Sequence, residues 1–366
     1  MKLLEICANY PSNQDAAPLS YVKARNCDYK KQRINDIVVL NFSHKGGYYV
    51  EDGILVISLE LYEKDYYKTP FEILICHAPN IRNHYMFLRK YQHNFKDILF
   101  FFHGHEVLSI NKEYPRPYAY QKRIGVSRCL SPLYDCIKFR LWHNYFMRQG
   151  DNVHMVFVSK WIYNKFEEYV GLNLKQLKVH SYIISNSISE RFERECYEKD
   201  SPKEYDFITI RSNLDDPKYA VDVVNKLAWA NPQYKFLLVG RGDYFKHYAK
   251  APNIEQIERY ISPDEMIALF NRTRCGLMPT KNDTQGIMAC EMATFGMPLI
   301  TSDIDVCKVV FEGFPNVSLI SNNNCNIDLS QVLFNLKPLE KKIDKYYRSN
   351  TINKEIELLK MISENG

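Results

Sequence analysis

The segment at residues 278–303, MPTKNDTQGIMACEMATFGMPLITSD, constrains the fold of this chain more than any other. It predicts the end of one strand, a polar loop, a helix over residues 285–295 and a new strand over residues 299–302. Asp283 has the short polar side chain that caps a first helical turn, and Gly296 fits the left-handed position just after a helix. The strand–helix–strand order indicates an α/β protein.

Two carboxylates bracket the predicted helix start, with Asp283 in the loop, Glu291 eight positions later and Gly286 between them. A helix start presents unpaired amide hydrogens and a partial positive charge, so it binds phosphate well. Glycine at that point lets a ligand approach the backbone. Glu291 could therefore bind the vicinal hydroxyls of a ribose, and Asp283 those of a second sugar. On spacing alone, Asp283 could equally be only a cap and Glu291 a solvated helix residue.

This segment resembles the E-x7-E region of retaining glycosyltransferases with the GT-B fold, of the glycosyltransferase group 1 (family 4) type. The shared pattern is an acidic residue, a glycine, an apolar run, a glutamate, Gly-x-Pro and an apolar strand that ends in aspartate. Here it comprises Asp283, Gly286, Glu291, residues 296–298 and Asp303. The first acidic residue is Asp rather than Glu, which keeps the charge and shortens the reach by one methylene. The resemblance implies two Rossmann-like domains that face each other across a cleft.

A chain of 366 residues predicts two domains of ordinary size, and its apolar fraction of 46% is sufficient for two cores. Strands that alternate with helices predict parallel sheets in both halves. The resemblance implies an acceptor-binding domain at residues 1–187 and a nucleotide-sugar-binding domain at residues 188–345. It also implies that residues 346–366 are helical and pack back on the first domain.

The pattern of apolar residues, caps and turn residues gives the position of each element. We predict strands at 3–8, 36–41, 54–59, 71–76, 97–102, 153–159, 178–184, 205–211, 234–240, 253–259, 274–278 and 299–302. We predict helices at 19–31, 80–94, 217–230, 263–271, 285–295, 330–336, 339–348 and 353–362.

Ligands of parallel sheets bind beyond the carboxyl ends of the strands. The apolar run at residues 97–102 is followed at once by His103, His105 and Glu106. A neutral histidine donates a hydrogen bond to a sugar hydroxyl, and a carboxylate orients an acceptor. Backbone groups alone could equally satisfy a histidine at a strand end. The resemblance implies that His103 is catalytic and faces the donor sugar, and that His105 and Glu106 bind the acceptor.

Arg211 at a strand end and Lys218 at the next helix start fit a diphosphate clamp, because arginine supplies a planar fork and lysine a point charge. The two could equally be surface charges near a loop. The resemblance implies that Arg211, Lys218 and Asp283 are catalytic. It also implies donor contacts from two glycines, a segment beside the base and the helix start, namely Gly240, Gly242, Tyr260, Ile261, Gln285, Gly286, Ile287 and Glu291.

The activity implied by the resemblance is transfer of a hexosyl group, with retention, from a nucleotide-diphosphate sugar to a glycan or lipid-linked acceptor. Bacterial-type surface polysaccharide synthesis is the commonest use of such enzymes. The resemblance implies no metal and no cofactor, because the nucleotide sugar is a substrate, with UDP and GDP the expected nucleotides. The alternatives are a sugar-nucleotide epimerase of the same fold and a non-catalytic glycan- or nucleotide-binding protein.

Residues 112–150 contain eight basic side chains against two acidic ones, with aromatic residues interleaved. This composition suits a segment at the surface of an anionic membrane, single-stranded nucleic acid or a solvated helix face over an aromatic core. Because the resembled family often uses lipid-linked acceptors, we expect a membrane rather than nucleic acid. The chain shows no secretory signal and no apolar run of about 20 residues. We therefore expect a cytoplasmic protein, peripheral on the inner face of the membrane.

Overall fold

The computed structural model describes residues 1–12, 20–121 and 128–364, and among these residues the strands form one sheet of eight and one of six. The strands are β1 (Lys2–Cys7), β2 (Asp36–Asn41), β3 (Tyr48–Glu51), β4 (Ile54–Ile57), β5 (Ile73–His77), β6 (Asp97–Phe102), β7 (Val153–Phe157), β8 (His180–Ile183), β9 (Tyr205–Asn213), β10 (Phe236–Arg241), β11 (Ile254–Ile257), β12 (Thr273–Met278), β13 (Leu299–Ser302) and β14 (Val317–Ile320).

The described α-helices follow in the same chain order. They are α1 (Ser20–Lys31), α2 (Leu59–Leu61), α3 (His84–Tyr91), α4 (Ile110–Glu113), α5 (Ser131–Phe146), α6 (Lys160–Phe166), α7 (Glu190–Arg194), α8 (Val221–Ala230), α9 (Tyr244–His247), α10 (Pro263–Asn271), α11 (Ile287–Phe295), α12 (Asp305–Val310), α13 (Leu329–Asn335) and α14 (Ile352–Glu364).

The chain divides into two compact units, and each unit is discontinuous in sequence. Unit 1 comprises Met1–Ser109, Leu133–Ser185 and Thr351–Gly366, and unit 2 comprises Ile110–Pro132 and Asn186–Asn350. This division differs from the expected boundaries mainly at Ile110–Pro132, which lies in unit 2 although the sequence places it within the first half.

Unit 1 contains the larger sheet, in the order β3-β4-β2-β1-β5-β6-β7-β8. Its strands run parallel except that β3 pairs antiparallel with β4. The central strands are buried on both faces, as their continuous apolar runs predict. Helix α14 completes this core, because Ile356 and Leu359 lie in the same apolar cluster as Leu3 and Val22.

A buried ion pair also joins α14 to α1. The guanidinium Nε of Arg25 is 3.1 Å and 3.2 Å from the two carboxylate oxygens of Glu355, and the hydroxyl of Tyr29 donates to the same carboxylate. Arg25 is 5% exposed and Glu355 is 1% exposed, so both charges lie inside unit 1. The core of unit 1 therefore depends on residues from both ends of the sequence.

Unit 2 contains a fully parallel sheet in the order β11-β10-β9-β12-β13-β14. Read from its first strand, this is the 3-2-1-4-5-6 order of a Rossmann-type domain. The order reverses between β9 and β12, and ligands of such sheets bind beyond the carboxyl ends of the two strands at that point. Arg211 lies near the carboxyl end of β9, and the loop that carries Asp283 follows β12.

Several predicted elements have the predicted bounds, namely β2, β6, α10 and β13. The predicted helix at 339–348 is wrong, because this segment is irregular, with bends and a turn, up to a short 3-10 turn at Arg348–Asn350. The predicted helix at 80–94 contains only α3 and one 3-10 turn. Strands β3 and β14 were not predicted.

Candidate functional site

Arg211 lies near the carboxyl end of β9, where the strand order of unit 2 reverses. Its side chain is buried, its Nη2 donates to the carbonyl of Pro279 at 2.6 Å, and its guanidinium lies 5.1 Å from the ring centre of Tyr219. Among the described residues, its buried Nε has no hydrogen-bond partner. Burial lowers the pKa of Arg211, and the charge of Asp283 partly offsets this effect. The site thus holds a buried cation with a donor left for an anion.

Lys218 does not stand at the start of an α-helix, contrary to the sequence prediction. It lies in a 3-10 turn at Pro217–Tyr219, and Ala220 then adopts a left-handed conformation with φ of 52° before α8 begins. Its ammonium is 3.5 Å from a carboxylate oxygen of Asp216. Burial lowers the pKa of Lys218, but Tyr219, Asp216 and Asp283 together raise it above its ordinary value. Lys218 is therefore held in its charged form.

Asp283 caps a turn rather than helix α11. Its Oδ1 accepts from the amides of Thr284 at 2.7 Å and Gln285 at 3.3 Å. The residue at the cap position of α11 is Gly286, in a left-handed conformation with φ of 71° and without a side-chain cap. A Cβ at Gly286 would approach Oδ2 of Asp283 to 3.1 Å. The glycine therefore brings the carboxylate close to the first turn of α11.

Glu291 lies on α11 and is 8% exposed. One carboxylate oxygen accepts from the amide of Ser189 at 3.0 Å. Burial raises the pKa of Glu291 to about 7, and the hydrogen bond from Ser189 opposes this rise. The carboxylate is thus fixed in place and titrates near neutral pH.

Gln285 is occupied by a contact within unit 2. Its Oε1 accepts from the backbone amide and the side-chain amide of Asn186 at 2.8 Å and 2.9 Å, and its Nε2 donates to the carbonyl of Asn186 at 2.8 Å. The side chain therefore holds the loop before α11, and the sequence reasoning missed Asn186 as its partner. No local pattern identifies this pair, because the two residues are 99 positions apart.

Gly240 and Gly242 let the end of β10 approach the loop after β9. A Cβ on Gly240, which has φ of 154°, would lie 2.2 Å from the carbonyl oxygen of Arg211. A Cβ on Gly242, which has φ of 151°, would lie 3.0 Å from a carboxylate oxygen of Asp215. These glycines therefore bring β10 against the segment that carries Arg211 and Lys218.

Tyr260 and Ile261 follow β11 and differ in exposure. Tyr260 is 62% exposed and Ile261 is buried. The guanidinium of Arg241 lies 4.6 Å from the ring centre of Tyr260. The ring is therefore accessible to a flat ligand such as a nucleotide base. The contact of Tyr260 and Ile261 with the base of the donor stays a prediction.

A small pocket in unit 2 brings several of the predicted residues together. Its lining comprises five polar residues, one glycine and six apolar residues, namely Arg211, Thr280, Asp283, Gln285, Thr301, Gly286, Met278, Ala289, Val306, Cys307, Val310 and Phe311. The carbonyl of Lys218 accepts from the amide of Lys281 at 2.8 Å and from the hydroxyl of Thr280 at 2.9 Å, which ties Lys218 to the loop beside this pocket. Ile287 starts the helix that follows the pocket.

The unit 1 candidates follow β6. The ring of His103 packs against Tyr21 at a centroid distance of 4.5 Å, and its buried Nε2 has no partner among the described residues. Burial, and secondly the charge of Arg25, hold the pKa of His103 well below its usual range, so the imidazole is neutral. Glu106 turns inward and accepts from the amides of His103 and Gly104. Glu106 therefore shapes the turn, while His105 is exposed.

The basic and aromatic stretch at residues 112–150 is divided between the two units. Its first part lies in unit 2 and its helix α5 lies largely in unit 1, while Lys122 and Arg123 are outside the described residues. On α5, Leu133 and Ile137 are 64% and 47% exposed.

None of the described helices has both the length and the apolar character needed to cross a membrane. In the same ranges, no group of three or more His, Cys, Asp or Glu side chains is placed to hold a metal ion.

Residues 208–333, which lie within unit 2, match the protein family described as glycosyl transferases group 1. Unit 2 therefore contains the segment that is similar to this family. No curated protein sequence matches the chain.

Solved structures resemble the whole chain at low sequence identity. Sucrose-phosphate synthase from Thermosynechococcus elongatus superposes with a TM-score of 0.73 at 10% identity, over 100% of both chains. An α,α-trehalose-phosphate synthase (UDP-forming) from Burkholderia vietnamiensis gives a TM-score of 0.60 at 11% identity, over 99% of this chain and 97% of that one. WaaG, a glycosyltransferase involved in lipopolysaccharide biosynthesis, gives 0.59 at 12% identity, over 91% and 90%.

The chain thus has the GT-B fold, with a Rossmann-like sheet in each unit. The fold and the glycosyl transferases group 1 domain together support a glycosyltransferase of the GT-B class. Structural similarity at sequence identities of 10–12% shows the fold alone. The substrates of this chain have to be inferred from its own residues.

Proposed function

We propose that this protein is a retaining hexosyltransferase that uses a nucleotide-diphosphate sugar and a glycan or lipid-linked acceptor in surface polysaccharide synthesis. The observation that carries the proposal is the buried guanidinium of Arg211 at the switch point of unit 2. It shares a pocket with Asp283 and Gly286, inside the range that matches the glycosyl transferases group 1 family. A buried cation beside a helix start favours an anionic ligand such as a diphosphate.

The chemistry assigned to these groups is stabilisation of a leaving diphosphate. The bond between the anomeric carbon and the diphosphate oxygen breaks, and the acceptor oxygen bonds to the same face of that carbon. The acceptor proton passes to the departing phosphate oxygen. Negative charge grows on the diphosphate, so Arg211, Lys218 and the first turn of α11 lower the barrier because they are already in place. This route requires no enzyme nucleophile.

The carboxylates are assigned to the sugars. Glu291 would accept from the ribose hydroxyls of the donor, and Asp283 from the transferred sugar. Asp283 already uses one oxygen on backbone amides, and its other oxygen lies beside Gly286 at the helix start. In unit 1, the neutral imidazole of His103 has an Nε2 available for a sugar hydroxyl.

The first test is calorimetric titration with UDP, GDP, ADP and CMP. We expect saturable binding of one nucleotide and a loss of about tenfold to a hundredfold in affinity for Glu291→Ala, because hydrogen bonds to a charged group contribute roughly 1.5–3 kcal/mol. Glu291→Gln is the matched variant, since it keeps an oxygen for the amide of Ser189. Equal affinities for wild type and Glu291→Ala would remove Glu291 from the donor site.

The same titration has an expected pH dependence. Because burial raises the pKa of Glu291 to about 7, the carboxylate is mostly protonated at pH 6 and mostly ionised at pH 8. The affinity ratio between wild type and Glu291→Gln should therefore rise between these two pH values. Taking the ratio removes the titration of the nucleotide phosphate, which is common to both proteins. A constant ratio would contradict the role of an ionised Glu291.

A second part of the proposal concerns an anionic membrane surface. Leu133, Ile137 and Arg140 lie at positions i, i+4 and i+7 of α5, so they share one face, and all three are exposed. Met147, just after the helix, is 55% exposed. Apolar side chains beside an arginine are typical of a segment that binds anionic lipid.

For this surface, the double variant Leu133→Asp, Ile137→Asp is expected to bind vesicles of phosphatidylcholine and phosphatidylglycerol about tenfold or more weakly, since two aliphatic side chains would no longer enter the lipid. Co-sedimentation measures the bound fraction. Met361→Asp is the control, because Met361 is 41% exposed on α14 of the same unit. Equal binding of the double variant and the control would exclude this face.

A further inference from the structure

The segment at residues 110–121 is here called the strap. It is part of Ile110–Pro132, which belongs to unit 2 although the segments before and after it in sequence belong to unit 1. Its contacts are polar and specific. The hydroxyl of Tyr120 donates to Oδ1 of Asp215 at 2.6 Å, and Nε2 of Gln121 donates to the carbonyl of Asp215 at 2.7 Å. Two consecutive strap residues therefore hold one residue of the loop after β9.

Asp215 joins three segments of unit 2. Besides Tyr120, its carboxylate accepts from the amide of Asp243, which is 2.9 Å from each of its two oxygens. The adjacent residue, Leu214, donates its amide to the carbonyl of Arg241 at 2.7 Å. The strap, the loop after β9 and the end of β10 thus meet at a single carboxylate.

The same loop carries the lysine of the proposed diphosphate clamp. Asp216, the next residue, accepts from the amide of Lys218 at 3.1 Å, and one of its oxygens lies 3.5 Å from the Lys218 ammonium. A shift of Asp215 would move Asp216 and therefore Lys218. The position of this ammonium depends on the anchor that Asp215 provides.

The strap also contacts Asp222, which follows Lys218 in sequence, and the loop that leads to Asp283. The hydroxyl of Tyr118 donates to Asp222 at 3.1 Å, and Asp222 accepts from the ammonium of Lys281 at 2.7 Å and 2.6 Å. The side-chain amide of Asn282 donates to the carbonyl of Glu113 at 2.9 Å. Residues before and after Lys218, and the loop that leads to Asp283, are therefore tied to the strap.

Ring contacts fix Tyr120 itself. Its ring stacks on His247 with a centroid distance of 4.0 Å and an interplanar angle of 11°. Burial, and secondly the hydrogen bond to Asp215, raise the pKa of Tyr120 far above neutral, so its hydroxyl remains a donor. The hydroxyl of Tyr120 therefore keeps the proton that it donates to Asp215.

We propose that Tyr120 is a positioning residue for the donor diphosphate, which acts through Asp215 to place Lys218. The proposal rests on the donor site assigned above and adds a part of the chain that the sequence places in the acceptor domain. In this arrangement, Lys218 is preorganised for the β-phosphate before the donor binds.

The test compares Tyr120→Phe, which removes only the hydroxyl, with Tyr248→Phe. The ring of Tyr248 packs against Tyr120, with 6.0 Å between the ring centres. Among the described residues, its hydroxyl has no hydrogen-bond partner. Each protein is titrated with UDP, GDP and ADP and with UMP, GMP and AMP. Hydrogen exchange of the amides at residues 212–219 is measured without nucleotide.

We expect Tyr120→Phe to lose about fivefold to tenfold in affinity for the diphosphate and little for the matching monophosphate. We also expect faster exchange at residues 212–219, with Tyr248→Phe unchanged in both measurements. Equal loss for diphosphate and monophosphate, or no difference between the two variants, would overturn the proposal. If wild type binds none of the six nucleotides, the donor site itself fails, and faster exchange would then leave Tyr120 as an anchor of the loop without a donor role.

Discussion

Arg211→Ala is expected to lower the rate of sugar transfer by about a hundredfold or more, because one preorganised donor at a developing negative charge contributes roughly that much. Arg211 is buried, and its Nε has no partner among the described residues. The change removes the charge that would face the leaving diphosphate. Turnover is measured as nucleotide release from the donor that calorimetry identifies, and acceptor binding is measured separately.

Two further variants make this result specific. Arg211→Lys keeps a charge without the planar fork, so its rate should lie between those of wild type and Arg211→Ala. Arg274→Ala removes an exposed arginine near the amino end of β12, where it lies 3.3 Å from Asp206, and should leave the rate unchanged. If acceptor binding fell while turnover at saturating acceptor stayed normal, the roles assigned to the two units would be reversed.

Glu355→Ala is expected to destabilise unit 1 by about 3–5 kcal/mol, because it removes one partner of a buried ion pair. Arg25 would keep its charge in a buried site that the carboxylate has left, and the hydroxyl of Tyr29 would lose its acceptor. Urea-dependent hydrogen exchange of amides in β1 and α1 reports the free energy of unfolding of unit 1.

Glu357→Ala provides the matched control for this prediction. Glu357 is exposed on the same helix, two positions after Glu355, so its loss should change the free energy of unfolding by no more than about 0.5 kcal/mol. Similar destabilisation by both variants would mean that the loss of any carboxylate from α14, rather than of the buried pair, causes the effect. A change below about 1 kcal/mol in the free energy of unfolding for Glu355→Ala would contradict a strong contribution of the Arg25–Glu355 pair to stability.

The sequence predicts an element correctly where its local signals, such as apolar runs and caps, agree with the burial of that element in the fold. β6 is a continuous apolar run, and its bounds are those predicted. Helix α10 begins at a capping box in which Ser262 and Glu265 satisfy each other's backbone amides, so its start is also correct. The assignment of Arg211 and Asp283 to one site was implied by the resemblance to group 1 glycosyltransferases, and both residues line one pocket of unit 2.

The errors arise where distant contacts override local preference. The segment at 339–348 has helix-forming residues, yet Lys342 donates to carbonyls of Phe192 and Glu193, and Lys345 donates to the carbonyl of Val310. These contacts, with residues distant in sequence, accompany the irregular course of the segment. The strap was misplaced for the same reason, since nothing near Tyr120 in sequence indicates a partner 95 positions away.

The discontinuity of unit 1 has a consequence for the order in which a newly synthesised chain matures. The first 109 residues of the chain leave the ribosome early, but α14, with Glu355, is made only after the whole of Asn186–Asn350. Unit 2 therefore has all of its segments before unit 1 does, which reverses the usual order in which amino-terminal domains fold first. Until α14 emerges, the apolar surface around Leu3 and Val22 lacks the residues of α14 that cover it, and exposed apolar surface of this kind makes a folding chain prone to aggregation.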